Sequence, residues 1–247
     1  MKTVLNVALL TALMGGVSSA CAADASLGAQ LRFAPKYDGA SSYRVLPLPL
    51  LGYDNGTLFV SGLSVGARYR LGSGFSVGLI GEFDFGRDPS DSTHLTGTDD
   101  IADTLRLGTF VDWQNDRWSA SIKVLQATHS GYGLDVRVDG TYTALLSARN
   151  TVRLGVGSTW GNNDYMSTYF GVTPGESARS NFALAPYSPS SGFKSADARI
   201  TWIHRFTPHW STVAIVGVST LLHDAADSPI VEKRTALFGT AGVAYQF

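Results

Sequence analysis

The sequence of 247 residues predicts an all-β protein, a transmembrane antiparallel up-and-down β-barrel. Residues 235–247 alternate between an apolar face, which ends in Tyr245 and Phe247, and a smaller, more polar face, as a strand does when one side meets lipid. Charged residues make up only 16% of the chain, against about 25% in soluble domains. No later stretch approaches the run of ~18 apolar residues that a spanning helix needs. Membrane-crossing strands account for both facts.

The two ends of the chain indicate export to the outer membrane. Lys2 precedes a mostly apolar run at residues 4–14, which is too short to span a bilayer, and small residues surround Cys21. We therefore expect a signal peptide over residues 1–22, cleaved after Ala22 or Ala23, and a barrel over residues 23–247. At the other end, Tyr245 and Phe247 resemble the signal that the outer-membrane barrel assembly machinery reads.

Alternating segments separated by turn residues predict the number of strands. Nine segments from residue 63 onward alternate well, and residues 26–62 supply three more, which gives twelve strands. The alternative is ten, with residues 57–71 forming one long strand and only one barrel strand before it. Pro47 and Pro49 weaken the second strand because proline withholds a ladder donor. The predicted strands are residues 26–37, 43–53, 57–61, 63–71, 75–85, 103–113, 117–127, 134–146, 151–160, 194–206, 210–222 and 235–247.

Connection lengths predict which way the barrel points. Short turns at residues 71–74, 114–117, 147–150 and 207–209 alternate with longer connections at 86–102, 129–133, 161–193 and 223–234. Short turns are periplasmic and long loops extracellular in such barrels. The connection at 161–193 is long enough to be functional, and its aromatic residues, Phe182 included, could constrict the barrel mouth or present a surface.

The faces opposite the apolar ones carry charges of both signs, which we expect to line a narrow lumen and to pair across it. Exposure of such charges to lipid would be costly. The candidate lumen-lining residues are Arg68, Arg70, Glu82, Asp84, Arg106, Asp112, Lys123, Asp135, Arg137, Asp139, Arg153 and Arg199. Arg32 and Arg205 fall on the same faces.

Four stretches carry a resemblance to a known family. Pro-Lys-Tyr-Asp-Gly at residues 35–39 continues to Pro-Leu-Pro at 47–49, and Tyr-Phe-Gly-Val-Thr at 169–173 continues to Tyr-Ser-Pro at 187–189. The others are Arg-Phe-Thr-Pro-His-Trp at 205–210 and residues 222–231, which contain Asp-Ala-Ala-Asp-Ser-Pro-Ile-Val. Together they resemble the MipA/OmpV family of Gram-negative outer-membrane proteins.

The resemblance implies a non-enzymatic scaffold or interaction protein. The family's name implies a lytic transglycosylase and a peptidoglycan synthase as partners, besides outer-membrane lipid. The alternative it leaves open is a narrow pore or small-molecule binder, for cationic antibiotics for example, or an adhesin. The resemblance implies no catalytic residues.

Other functional classes find little support. A lipid hydrolase would need a serine, a histidine and a carboxylate in one constellation, but His129 and Ser130 are neighbours and so face opposite sides of a strand. The acidic loop at residues 86–102 does not match the spacing of an EF-hand, and we expect neither a metal nor a cofactor. The chain has 19 basic and 20 acidic residues, a balance that does not suit nucleic acid.

Overall fold

Twelve antiparallel strands close into a barrel in the computed structural model, which describes residues 24–181 and 183–247. The predicted signal peptide and Phe182 lie outside the described residues. Each strand pairs with its sequence neighbours, and β1 closes the barrel against β12 from Ser26 opposite Gln246 to Phe33 opposite Gly239. The strands are β1 Asp24–Pro35, β2 Tyr43–Asp54, β3 Leu58–Ser61, β4 Ser64–Gly72, β5 Phe75–Asp84, β6 Thr104–Gln114, β7 Trp118–Ala127, β8 Leu134–Leu146, β9 Asn150–Gly161, β10 Gly192–Arg205, β11 Trp210–Leu221 and β12 Thr235–Gln246.

The prediction of a twelve-stranded barrel is confirmed, and strand boundaries agree within about two residues, the usual uncertainty of such assignments. The outward face is apolar because alternate residues point away from the interior. Leu79 is 65% exposed and Val216 is 64% exposed, whereas Ile80 beside Leu79 is 5% exposed. Such exposure of large aliphatic side chains is favourable in lipid and unfavourable in water.

The prolines of β2 lie where they cost no ladder hydrogen bond. β3 is short and pairs with β2 only from Gly52 to Asp54. The Leu51 carbonyl accepts from the Gly62 N–H at 2.8 Å, so odd-numbered residues of β2 direct their backbone polar groups toward β3. Pro47 and Pro49 are odd-numbered and lie beyond the end of that pairing. The backbone nitrogens of both prolines therefore point to a part of the β2 edge that has no partner strand, where the lack of an N–H costs no hydrogen bond.

Three short α-helices lie in the long connections: α1 Asn163–Phe170, α2 Pro174–Arg179 and α3 His223–Asp227. Two single-turn 3-10 helices, Pro89–Asp91 and Thr93–Leu95, lie between β5 and β6. The side chains of Asn162 and Thr173 cap the first turns of α1 and α2. In the described part of the chain, no helix is long and apolar enough to cross a membrane.

Candidate functional site in the barrel interior

Six charged side chains from four adjacent strands form one chain of ion pairs, which we call the luminal network. Its members, in order of contact, are Asp84, Arg106, Asp135, Arg137, Glu82 and Lys123, and their signs alternate. The N···O distances run from 2.6 Å between Arg137 and Asp135 to 2.7 Å for the other four pairs. Glu82 on β5 reaches Lys123 on β7 and Arg137 on β8, strands that do not adjoin β5. Such contacts can only cross the concave side of the sheet.

The centre of the luminal network is dry. The side chains of Arg106 and Asp135 are both 0% exposed, and their N···O distance is 2.7 Å. Burying charge is costly unless each ion has both a partner and further hydrogen bonds. Arg106 meets this condition through Asp84 and through the Tyr169 hydroxyl, which accepts from Arg106 Nη2 at 3.0 Å. Arg106 is therefore fully compensated although it is buried.

A second group of charges crosses the interior from β10 to β8. Arg199 donates to Asp197 on its own strand at 2.7 Å and to Asp139 on β8. It passes over β9 between them, where a Cβ on Gly155 would lie 3.0 Å from Arg199 Nε. A Cβ on Gly157 would lie 2.6 Å from the Asp197 carboxylate, so these two glycines leave the room that the pair occupies.

The remaining candidates divide into one that is paired and three that are not. Arg68 on β4 pairs with Asp54 on β2 at 2.9 Å, and its guanidinium lies 4.6 Å from the centroid of the Phe59 ring. Arg70, Asp112 and Arg153 make no ion pair within the described residues. Of the twelve candidates, then, six join the luminal network, two join the pair that crosses β9, and Arg68 stands apart.

Apolar side chains share the interior with these charges. Ile80, Phe110 and Leu125 form a buried cluster against which Phe59 packs. The Phe59 and Phe110 rings meet edge to face with centroids 5.7 Å apart, a favourable aromatic geometry. Charged and apolar groups together thus fill the interior across β3 to β8.

The long connections close one end of the barrel as a packed cap. The cap is formed by residues 36–42, 85–103, 162–181, 183–191 and 222–234. Val231 packs against both of its buried clusters. One cluster consists of Tyr37, Ala40, Leu95, Val172, Leu184 and Ile230, and the other of Tyr165, Met166, Phe170, Leu221, Ala225 and Ala226. Most of the cap therefore comes from the stretches that carry the family resemblance.

Helix α1 joins the cap to the luminal network. The guanidinium of Arg106 lies 5.0 Å from the Tyr165 ring centroid and 5.6 Å from that of Tyr169. Burial raises the pKa of both tyrosines further above neutral pH, and both hydroxyls are protonated there. Arg87 Nη1 donates to the Tyr169 carbonyl at 2.9 Å, near the C-terminal end of α1, where a cation is favourable.

The carboxylates of Glu232 and Glu176 accept hydrogen bonds that hold the cap loops to one another. Hydrogen bonds from the hydroxyls of Ser41, Tyr37 and Ser92 lower the pKa of Glu232. Burial alone would raise the pKa of Glu176, but hydrogen bonds from the backbone N–H groups of Thr173 and Asp99 hold it below its usual value. In their ionised form these two carboxylates tie all four cap loops together.

Three residues that bond to inward-facing arginines were not predicted from the sequence. Asp197 and Asp54 pair with Arg199 and Arg68, and both could have been found by alternation because each lies an even number of residues from an inward side chain. Tyr169 could not have been found this way, since it reaches Arg106 from a loop 63 residues along the chain.

Comparison with known proteins gives a family match over most of the chain. The model of the family described as MltA-interacting protein MipA matches residues 27–247. Proteins named MltA-interacting protein from Escherichia coli (strain K12) and Shigella flexneri are 30% identical over 97 residues, 39% of this chain and 38% of the relative. The chain thus matches well under half the length of these relatives.

Solved structures of similar shape are distant in sequence. The KdgM porin is 10% identical with a TM-score of 0.46, and the match covers 90% of this chain and 99% of that one. A bacterial polysaccharide outer membrane secretin is 11% identical with a TM-score of 0.47, covering 91% and 98%.

Proposed function

Because the chain belongs to the family described as MltA-interacting protein MipA, we propose that it is a non-enzymatic interaction protein coupled to the peptidoglycan-remodelling machinery. The protein is an outer-membrane β-barrel. The proposed partners are a lytic transglycosylase, which the name of the relatives suggests, and a peptidoglycan synthase.

The filled interior is the observation that supports interaction over transport. A conduit needs a continuous hydrated path, whereas Arg106 and Asp135 at the centre of the luminal network are fully buried. Tyr165 and Tyr169 lie over Arg106, and the packed cap lies above them. A closed barrel of this kind offers its rims and its lipid face to other molecules.

The periplasmic rim is the surface that a peptidoglycan enzyme can reach. It consists of tight turns, among them the turn at residues 115–117 and the turn at residues 147–149. Asp116 and Arg149 lie in these turns and are exposed. Charged groups on a rim of this kind affect association rate and specificity more than affinity.

Binding of the purified lytic transglycosylase to the barrel in nanodiscs tests the proposal. We expect association that weakens in a double charge reversal, Asp116→Lys with Arg149→Glu, and that is unchanged in Asp100→Lys, an exposed position of the cap. Lack of association, or an effect of Asp100→Lys alone, would contradict a periplasmic scaffold.

Planar-bilayer conductance of the refolded chain tests the filled interior separately. We expect silence, because ion passage would require breaking the luminal network. Steady single-channel steps would instead favour the narrow-pore function.

A further inference from the structure

A cavity of about 620 Å³ opens at the periplasmic end of the barrel, on the side away from the luminal network. We call it the vestibule. Its walls are the inner faces of β1 to β4 and β10 to β12. They run from Asp24, Ser211 and Gln246 at the rim to Gln30 and Ile215 at the deepest point. Its volume lies within the range of small-molecule sites, about 300 to 1,000 Å³.

The vestibule has an apolar wall that faces water when empty. Its inward apolar side chains are Leu50, Phe59, Ile203, Val213, Ile215 and Ala244. Hydrating such a surface is unfavourable, and a molecule with an apolar body would displace that water with a gain in free energy.

Arg68 supplies the polar end of the vestibule. Asp54 accepts from Arg68 Nη2 at 2.9 Å, and Phe59 lies beneath the guanidinium, so the side chain is held in place. Arg68 Nη1 makes no hydrogen bond within the described residues. Asp54 Oδ1 also accepts from the Gly56 N–H at 2.7 Å, so each oxygen of this carboxylate has one donor. Arg68 has hydrogen-bonding capacity left for an anionic oxygen.

We infer that the vestibule binds an amphipathic anion, with its chain against the apolar wall and its carboxylate, sulfate or phosphate on Arg68. The binding site is independent of the proposed scaffold role, because it depends on the interior of the barrel and not on the rim turns.

Protection of a single cysteine tests the vestibule. In the full chain with Cys21→Ala, Ile215→Cys introduces the only thiol, deep in the vestibule. Ser119→Cys is the matched control, since it faces the interior on β7 but does not line the vestibule. In phosphatidylcholine nanodiscs, we expect decanoate to slow maleimide labelling at position 215 saturably and to leave position 119 unaffected.

The charge of the probe tests the role of Arg68. Loss of one charge-assisted hydrogen bond predicts that Arg68→Gln raises the half-protecting decanoate concentration about tenfold. Decyltrimethylammonium, which has the same chain and the opposite charge, tests this without a substitution and should protect about tenfold more weakly. Equal protection by the two probes, or equal protection at positions 215 and 119, would overturn the inference.

A third comparison identifies the source of the ligand. Lysophosphatidate placed in the disc lipid is the membrane-borne form of this chemistry, and decanoate in buffer is the water-borne form. Protection by either supports the site and assigns its source. Protection by neither would refute it.

Discussion

Replacing Arg106 by methionine tests most directly whether buried charge holds the barrel interior together. Arg106 makes ion pairs of 2.7 Å with Asp84 and with Asp135, and its side chain is fully buried. Methionine keeps much of the volume but leaves Asp135 with Arg137 as its one remaining ion-pair partner. Removing one partner of a buried pair costs about 3 to 5 kcal/mol. We expect the lower end of this range, because Arg137 still compensates Asp135.

Arg199→Met is the matched control within the same lumen. Its side chain is 26% exposed, and those of Asp139 and Asp197 are 33% and 27% exposed, so water can solvate the carboxylates left behind. Solvated pairs contribute about 0 to 1 kcal/mol. The two substitutions remove the same group and differ mainly in the hydration of its partners.

Urea unfolding of both variants in lipid vesicles, followed by tryptophan fluorescence, measures the difference. Unboiled gel migration first establishes that each variant has folded. We expect the free energy of unfolding to fall by about 2 kcal/mol more for Arg106→Met than for Arg199→Met. Equal losses would mean that water reaches Asp135, and the argument that the luminal network closes the interior would then fail.

Four further predictions concern the lipid face, assembly, orientation and the cap. Leu79→Arg should destabilise the barrel by about 2 to 4 kcal/mol in vesicle unfolding, because it places charge in lipid; a loss within error would mean that position 79 does not face lipid. Deleting Phe247 should reduce the amount of heat-modifiable barrel in the outer membrane, and an unchanged amount would remove the proposed assembly signal. A cysteine at Asp100 should be labelled on intact cells and one at Asn115 should not, whereas the reverse would invert the orientation. Because the folded-state pKa of Glu232 lies below its usual 4.5, its contribution to cap stability is complete above pH 4.5 and is lost as pH falls below that value. Protease cleavage of the cap loops should therefore accelerate in that acidic range, and Glu232→Gln should remove part of the pH dependence.

The strands could be predicted because one physical rule governs each of them. In a membrane barrel every strand has lipid on one side and the interior on the other, so the side-chain period of two is enforced along the whole element. For β8 the predicted and observed boundaries coincide at Leu134 and Leu146. The same rule places Glu82, Arg106 and Arg137 on the inward faces of their strands from the sequence alone.

The cap and the vestibule could not be predicted, because they depend on contacts between distant parts of the chain. Tyr37 donates to the Ile230 carbonyl at 3.0 Å across 193 residues. Tyr37 is the last residue of a predicted strand and Ile230 belongs to no periodic segment, so alternation does not indicate this contact. Likewise, alternation assigns Leu50 and Ile215 to inner faces but does not reveal that they enclose a cavity. That depends on the volumes of the facing side chains, which periodicity does not encode.

The two ends of the barrel interior differ in a way that restricts how anything can enter it. The cap has its own apolar core and is bonded to the luminal network through Tyr169 and Arg106, so opening it would break a buried ion cluster. The opposite end has tight turns, and Arg68 and Ile215 line an open cavity there. A molecule that binds inside the barrel would therefore enter from the end with the tight turns, which the predicted orientation places in the periplasm. Substitutions that loosen the cap should leave its binding unchanged, whereas Arg68→Gln should not.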